Sequence, residues 1–210
     1  MLKKFLNHEK GITGLETAII LIAFVVVAAV FAYTALSAGL FSTQKSQEAV
    51  YAGLKEAQST LELKGGVIAT ANSTGASGEI AMLSFVVSNV LGGEPVDFTP
   101  PSDADDNGIA DNDSENIVVI NYVDQEQEKN DLYWTIDKLG NADTDDLLEA
   151  HERFQINIGT TDGLGDLIDA LDTNLSVKKT FNLEILTPGG ATLNIERTTP
   201  AWIDSIVNLR

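Results

Sequence analysis

Gly11-Ile12-Thr13-Gly14-Leu15-Glu16-Thr17, followed from Ala18 to Leu36 by AIILIAFVVVAAVFAYTAL, is the stretch whose reading decides the fold. No charged residue occurs from Thr17 to Gln44, and nineteen or more apolar residues in one helix suffice to cross a hydrocarbon layer of ~30 Å. Proline is absent before Pro95, and past Gly14 only Gly39 and Gly53 interrupt the run, so one helix is predicted from Ile12 to about Leu63. At 1.5 Å per residue that is a rod of about 75 Å. Its first half is apolar all round, which a lone chain in water cannot hide.

Ala28, Ala32, Ala35 and Gly39 recur at spacings of four, three and four. They line one helix face with small residues, where a second backbone can approach closely. From Lys45 to Leu63 the pattern turns amphipathic, with Val50, Leu54, Ala57 and Leu61 on one side. Gly65-Gly66 is the expected stop, because glycine tolerates the left-handed backbone just past a helix end.

What precedes the rod is short and basic: Met1 to Lys10 carries Lys3, Lys4 and Lys10, and the lysines end at Gly11. A secretory signal would place its junction after the apolar block; here the junction lies before it. In this order of features the chain resembles the type IV prepilin-like proteins with class III signals, and within them the archaeal flagellins (archaellins). The resemblance rests on Lys10-Gly11, Ile12, Gly14 and the block AIILIAFVVVAAVFAY, and covers roughly Lys3 to Leu63. It implies that a membrane-embedded prepilin peptidase cuts between Gly11 and Ile12. Glu16, fifth in the mature chain, is similar to the acidic residue of many type IV pilins, which meets the new α-amino group of a neighbouring subunit. The implied division is 1–11 signal peptide, 12–64 hydrophobic helix at the filament core, and 65–210 outer domain.

Beyond Gly66 the sequence breaks into short β-rich runs: Val67 to Thr70, Ile80 to Val90, Ile117 to Val123, Leu132 to Ile136, Phe154 to Ile158, Lys178 to Leu186 and Ala191 to Arg197. Many short strands with turn residues between them predict an antiparallel β-sandwich or barrel of immunoglobulin-like type. The fold class is therefore α+β. Leu147 to Arg153 and Leu164 to Leu171 read as short helical turns, and Trp202, Ile206 and Leu209 as residues that return to pack on the domain.

The composition narrows the chemistry. The chain has 210 residues and a formal net charge of -18, and losing three lysines and one glutamate with the leader brings the mature chain near -20. Phosphate binding needs Lys and Arg to release counterions, so nucleic acid is a poor partner. With no cysteine, disulfides and thiolate metal sites are excluded. His151 is the one imidazole left in the mature chain, among charged neighbours, and no nucleophile and base stand in a catalytic spacing. The expectation is a protein that is not an enzyme.

Two features could hold ligands or modifications. Asp103, Asp105 and Asn107 are spaced by two and followed by Gly108, with Asp111 at the ninth position; this matches the opening of a calcium loop, where alternating oxygens wrap a small cation. Ser114 stands where a bidentate glutamate belongs, leaving Asp113 or Glu115 to substitute. A divalent cation, Ca2+, is one reading, and a solvated acidic loop the other. Asn72, Asn112 and Asn174 begin Asn-x-Ser/Thr sequons, and the resemblance implies N-glycosylation of an extracellular chain.

What the resemblance implies as function is a structural subunit of an extracellular helical filament, the archaellum, used in swimming. The precursor would sit in the cytoplasmic membrane, and the filament would be a homopolymer held by helix-helix packing and turned by a membrane motor. An adhesion pilin with the same assembly logic, a membrane-anchored envelope protein and a calcium-dependent binding module are the alternatives.

Overall fold

The protein is described by a computed structural model over residues 9–58, 61–90, 93–161 and 165–209. It divides into two compact units, 1–52 and 53–210. Helix α1, Glu9–Gln58, is unbroken for 50 residues; it makes up the described part of the first unit, and its last residues, from Gly53, are counted with the second. Lys3 and Lys4 of the expected leader lie outside the described residues, and the backbone of Lys10, Gly11 and Ile12 forms the first turns of α1.

Where the helix ends differs from the sequence reading. The predicted helix ran to Leu63 with Gly65-Gly66 as its stop; instead α1 ends at Gln58, and strand β1 runs Leu61–Ser73 straight through the glycines. The cause is a period of two: Leu61 is buried and Leu63 packs on the core, while Glu62 and Lys64 face out. Gly65, with φ +91°, sits where the β1 register shifts between Lys64 and Ile68. The glycine pair makes a bulge in a strand and does not cap a helix.

The second unit continues with β2 (Glu79–Asn89), β3 (Val96–Asp97), β4 (Val119–Asp124), β5 (Glu128–Lys129), β6 (Trp134–Leu139), β7 (Leu147–Leu148) and β8 (Arg153–Ile158). The short helix α2 (Leu167–Ala170) follows, then β9 (Thr180–Leu186), β10 (Thr192–Thr198) and β11 (Ile206–Leu209). Every pairing is antiparallel, in a five-stranded sheet β11-β1-β2-β8-β6, a four-stranded sheet β10-β9-β4-β5 and the small pair β3-β7. The expected antiparallel fold is present, as an open sandwich.

Alternation sets the layers. Val67 and Ala69 of β1, Leu83, Phe85 and Val87 of β2, and Phe154 and Ile156 of β8 are buried together with Ile120, Tyr122, Phe181, Leu183 and Ile185 of the other sheet in one core. Phe98 meets Trp134 and Phe154 edge to face at 5.9 and 6.0 Å, and Tyr122 stacks on Phe181 at 5.8 Å. Leu147–Leu148, read as part of a helical turn, is the strand that pairs with β3. The turn after it is held by Glu152, whose carboxylate accepts from the backbone N–H groups of Asp143 and Glu149, both at 3.0 Å. Leu209 packs inside as expected, whereas Trp202 and Ile206 stand 60% and 66% exposed, because they lie on the outward side of the chain that carries buried Ile203 and Leu209.

Candidate functional site

The surface that a function must account for is that of α1. Leu15, Phe24, Phe31 and Tyr33 are two-thirds to three-quarters exposed, and no part of the apolar span is buried inside the chain. The helix is long and apolar enough to cross a membrane. Three of its threonine hydroxyls are turned back on its own backbone: Thr17 Oγ1 donates to the Gly14 carbonyl at 3.2 Å, Thr34 to Phe31 at 2.9 Å and Thr43 to Gly39 at 2.9 Å. Such bonds satisfy a polar group where no water is at hand. Ala28, Ala32, Ala35 and Gly39 all lie on this one helix and are exposed, and Glu16 is exposed near its start. Nothing comes within 4 Å of where a Cβ would stand on Gly14 or Gly39, so the small-residue face is open to another helix.

The acidic loop is ordered by its own hydrogen bonds. Asp103 accepts from the N–H groups of Asn107 (Oδ1, 3.0 Å) and Gly108 (Oδ2, 2.8 Å), and Asp111 Oδ2 accepts from Ala104 N at 2.9 Å. Asn107 Nδ2 donates to Asp105 Oδ2 at 2.9 Å, while its Oδ1 accepts from Ile109 N at 2.8 Å. One carboxylate oxygen from each of Asp103, Asp105 and Asp111 lies within 4.8 Å of the others. Oxygens bound to calcium at about 2.3 to 2.6 Å stand no farther apart than roughly 5 Å, so the group fits that cation. Asp113 is not brought into this cluster. Ser114 takes a structural part, its hydroxyl accepting from Ser102 N at 3.1 Å.

The partner of this loop was not legible from spacing. Gly108, at φ +76°, is pressed against α2: a Cβ there would stand 2.7 Å from the Asp166 carbonyl oxygen and 2.8 Å from Ala170 Cβ. Asp166 is the buried N-cap of α2, accepting from Ile168 N and Asp169 N. The Asp-Leu-Ile-Asp order was the available signal, since an aspartate before an apolar turn is a capping pattern. Of the sequon residues, Asn72 and Asn112 are exposed and Asn174 is half-buried.

One titrating network ties the β4–β5 turn. Tyr122 Oη donates to Asp124 Oδ2 at 2.8 Å, and Asp124 Oδ1 accepts from Glu126 N at 2.7 Å and Gln127 N at 2.9 Å. Burial, reinforced by that hydrogen bond and by the negative charge of Asp124, pushes the Tyr122 phenol far above its usual range. For Asp124 burial works against ionisation, but the donated hydrogen bonds outweigh it and hold the carboxyl below its usual value. The network braces a turn and faces no reactive group.

An apolar helix whose span is exposed along the described residues, followed by a β-sandwich with its own core, fits a protein whose helix packs in a membrane or against copies of itself. Comparison with known proteins agrees. The archaeal-type flagellin family matches residues 11–197. Probable flagellin 1 of Archaeoglobus fulgidus is 35% identical over 219 residues, 98% of each chain, and probable flagellin 2 of that organism is 37% identical over 205 residues, 94% of this chain and 93% of its own. The solved archaeal flagellum of Methanospirillum hungatei strain JF1 has a chain 31% identical to this one, with a TM-score of 0.61 over 93% of this chain and 98% of that chain.

The chain belongs to the archaeal-type flagellins. It is a structural subunit of the archaellum, the cell-surface filament of swimming motility.

Proposed function

We propose that this flagellin is trimmed between Gly11 and Ile12 by a prepilin-type peptidase, held in the cytoplasmic membrane by α1, and then passed to the filament, where identical rods replace lipid around it. The observation that carries this reading is that none of the apolar span of α1 is buried within its own chain. A family match beginning at residue 11 supports the junction. Small residues at Ala28, Ala32, Ala35 and Gly39 let neighbouring backbones close up, and heterologous contacts of that kind give an open helix of subunits. The protein works by packing, with no catalytic step, and a motor in the membrane supplies rotation.

Sequencing the main protein of sheared filaments from its N-terminus tests the proposal. A start at Ile12 is expected, and a start at Met1 overturns it. Within the same reading, Asp103, Asp105 and Asp111, with Asn107 beside them, hold a divalent cation of the calcium type, which would neutralise the loop and stiffen it. Glycans on the sequons are read by intact mass: an unmodified mass for residues 12–210 removes them.

A further inference from the structure

Asn107 and Gly108 form the one Asn-Gly pair of the chain. Such a pair is open to reaction with itself, because glycine carries no side chain to hinder its backbone nitrogen or to limit its turning. In that reaction the Gly108 nitrogen gives up its proton and bonds to Cγ of Asn107, the bond from Cγ to Nδ2 breaks, and the amide nitrogen leaves as ammonia. Water then opens the five-membered imide at either carbonyl, leaving aspartate or its β-linked isomer, isoaspartate. No enzyme, oxidant or cofactor takes part. Asn107 is exposed, so water reaches it, while Gly108 is buried.

The loop calls for both residues. Gly108 has a left-handed backbone, φ +76°, and a Cβ on it would stand 2.7 Å from the Asp166 carbonyl oxygen. Asn107 serves as donor and acceptor at once, Nδ2 to Asp105 Oδ2 at 2.9 Å and Oδ1 from Ile109 N at 2.8 Å; an ionised aspartate has no proton to give. The same geometry withholds the attacking nitrogen. Gly108 N–H donates to Asp103 Oδ2 at 2.8 Å, Asn107 N to Asp103 Oδ1 at 3.0 Å, and Tyr133 N to the Gly108 carbonyl at 2.9 Å. The Asp103 charge also opposes loss of the amide proton, since that loss sets a second negative charge beside it. One contact acts the other way: Ile109 N–H steadies the charge that grows on Asn107 Oδ1 as the ring closes. It has nothing to act on while the Gly108 nitrogen stays bound, so the grip of Asp103 decides.

We propose that Asn107 is a site of slow covalent modification, deamidation through a succinimide with Gly108, and that Asp103 guards it by holding the Gly108 N–H. Loss of the amide removes the donor to Asp105 and adds a carboxylate beside Asp103, Asp105 and Asp111, which already bring oxygens within 4.8 Å of one another. Like charges so close disfavour one another. The isoaspartate form also lengthens the main chain by one carbon next to the seat of Gly108 on α2, and the loop lets go of that helix. Neither the filament nor a bound cation enters into this chemistry.

The full-length chain, held in mild detergent, is incubated in mildly alkaline buffer with a chelator, and the peptide that contains residue 107 is followed by mass spectrometry, with the isoaspartate form separated by chromatography. In strong urea the Asn107 amide is expected to be lost at least about tenfold faster than in the folded chain, as at sites that react only on opening. Folded Asp103→Ala should approach the urea rate. Asp113→Ala, which removes an exposed charge from the same loop, should stay at the rate of the parent. Equal loss in the folded parent and in urea overturns the proposal, and so does a folded Asp103→Ala chain that loses the amide no faster than Asp113→Ala. Should Asp103→Ala fail to fold, Asp103→Asn, which keeps the size of the side chain and one acceptor oxygen, takes its place: a rate between those of the parent and the urea sample is expected, and a rate equal to the parent's overturns the proposal.

Discussion

Phe24 and Phe31 on α1 are 76% and 74% exposed, whereas Phe85, Phe98, Phe154 and Phe181 in the sandwich are no more than 1% exposed. One chain thus uses the same residue type in two opposite ways. In the sandwich, alternation sends every second side chain to a core closed by the chain itself, and its Tyr, Trp and Phe rings find one another at 5.8 to 6.0 Å. In the rod there is no second layer, so the apolar surface is left for lipid or for other copies. A charge or a cavity should therefore do different damage in the two regions: assembly should fail in the first and folding in the second.

The largest effect is expected from Val30→Asp, in the middle of the uncharged span. A lone aspartate at the centre of an apolar helix costs roughly 2.5 to 3.5 kcal/mol on insertion scales, and every subunit of the polymer would carry it. No filaments should appear in the sheared fraction, while the melting of the β signal of the detergent-held chain stays unchanged; a parallel loss of β structure would break the separation of the two regions. Phe98→Ala is the converse. Phe98 is fully buried between Trp134 and Phe154, and truncating such a ring costs about 3 to 5 kcal/mol. The sandwich should melt much earlier, with the helical signal of α1 kept.

A smaller effect, confined to the outer domain, is expected from Gly108→Ala. Its left-handed backbone and its contact with Asp166 and Ala170 leave no room for a methyl group, for a cost of about 1 to 3 kcal/mol. Calcium sharpens the point. If the loop takes the ion, free Ca2+ at about a hundred times its dissociation constant should stabilise the domain by about 2.7 kcal/mol, and Asp103→Asn should remove that increment. Equal melting with calcium and with chelator, in the unsubstituted chain, assigns the loop to its own hydrogen bonds.

How much could be read in advance follows from the same contrast. The rod was legible because a span without charge from Thr17 to Gln44 has few solutions in water, and the resemblance of the Lys10-Gly11 junction added a family to that physics. The strands were legible wherever apolar residues alternate, as at Ile80 to Val90. The end of the helix was misread because Leu61-Glu62-Leu63-Lys64 is short enough to fit either period, and the pairing that decides it, Leu61 opposite Asn89, is 28 positions away. Leu147 and Leu148 fit a helical turn by local pattern for the same reason, since their partner β3 lies far back in the chain. The calcium spacing brought Asp103, Asp105 and Asp111 together, but the seat of the loop on α2 depends on residues near 166, which no local pattern reveals.

The smallest expected effect concerns Asp124, in the sandwich alone. Its folded carboxyl is held below the ordinary value of 3.8 by donors from Glu126, Tyr122 and Gln127, so the folded form releases its proton more readily than the unfolded chain. The stability it contributes is then fully present above the pH at which an unfolded carboxyl titrates, and is lost as pH falls through the lowered folded value. Asp124→Asn keeps the side chain's size and one acceptor oxygen, but sets an amide against the Tyr122 hydroxyl or the Gln127 side chain. The variant should melt below the parent at neutral pH, and the gap should close as the buffer is taken below about pH 4, near the ordinary aspartate range. Assembly should be untouched, because the network faces the β4–β5 turn and the loop at Asp172 and Thr173, which Gln127 ties to it. A gap that stays constant through acid would mean that the turn depends on shape alone and not on the charge of Asp124.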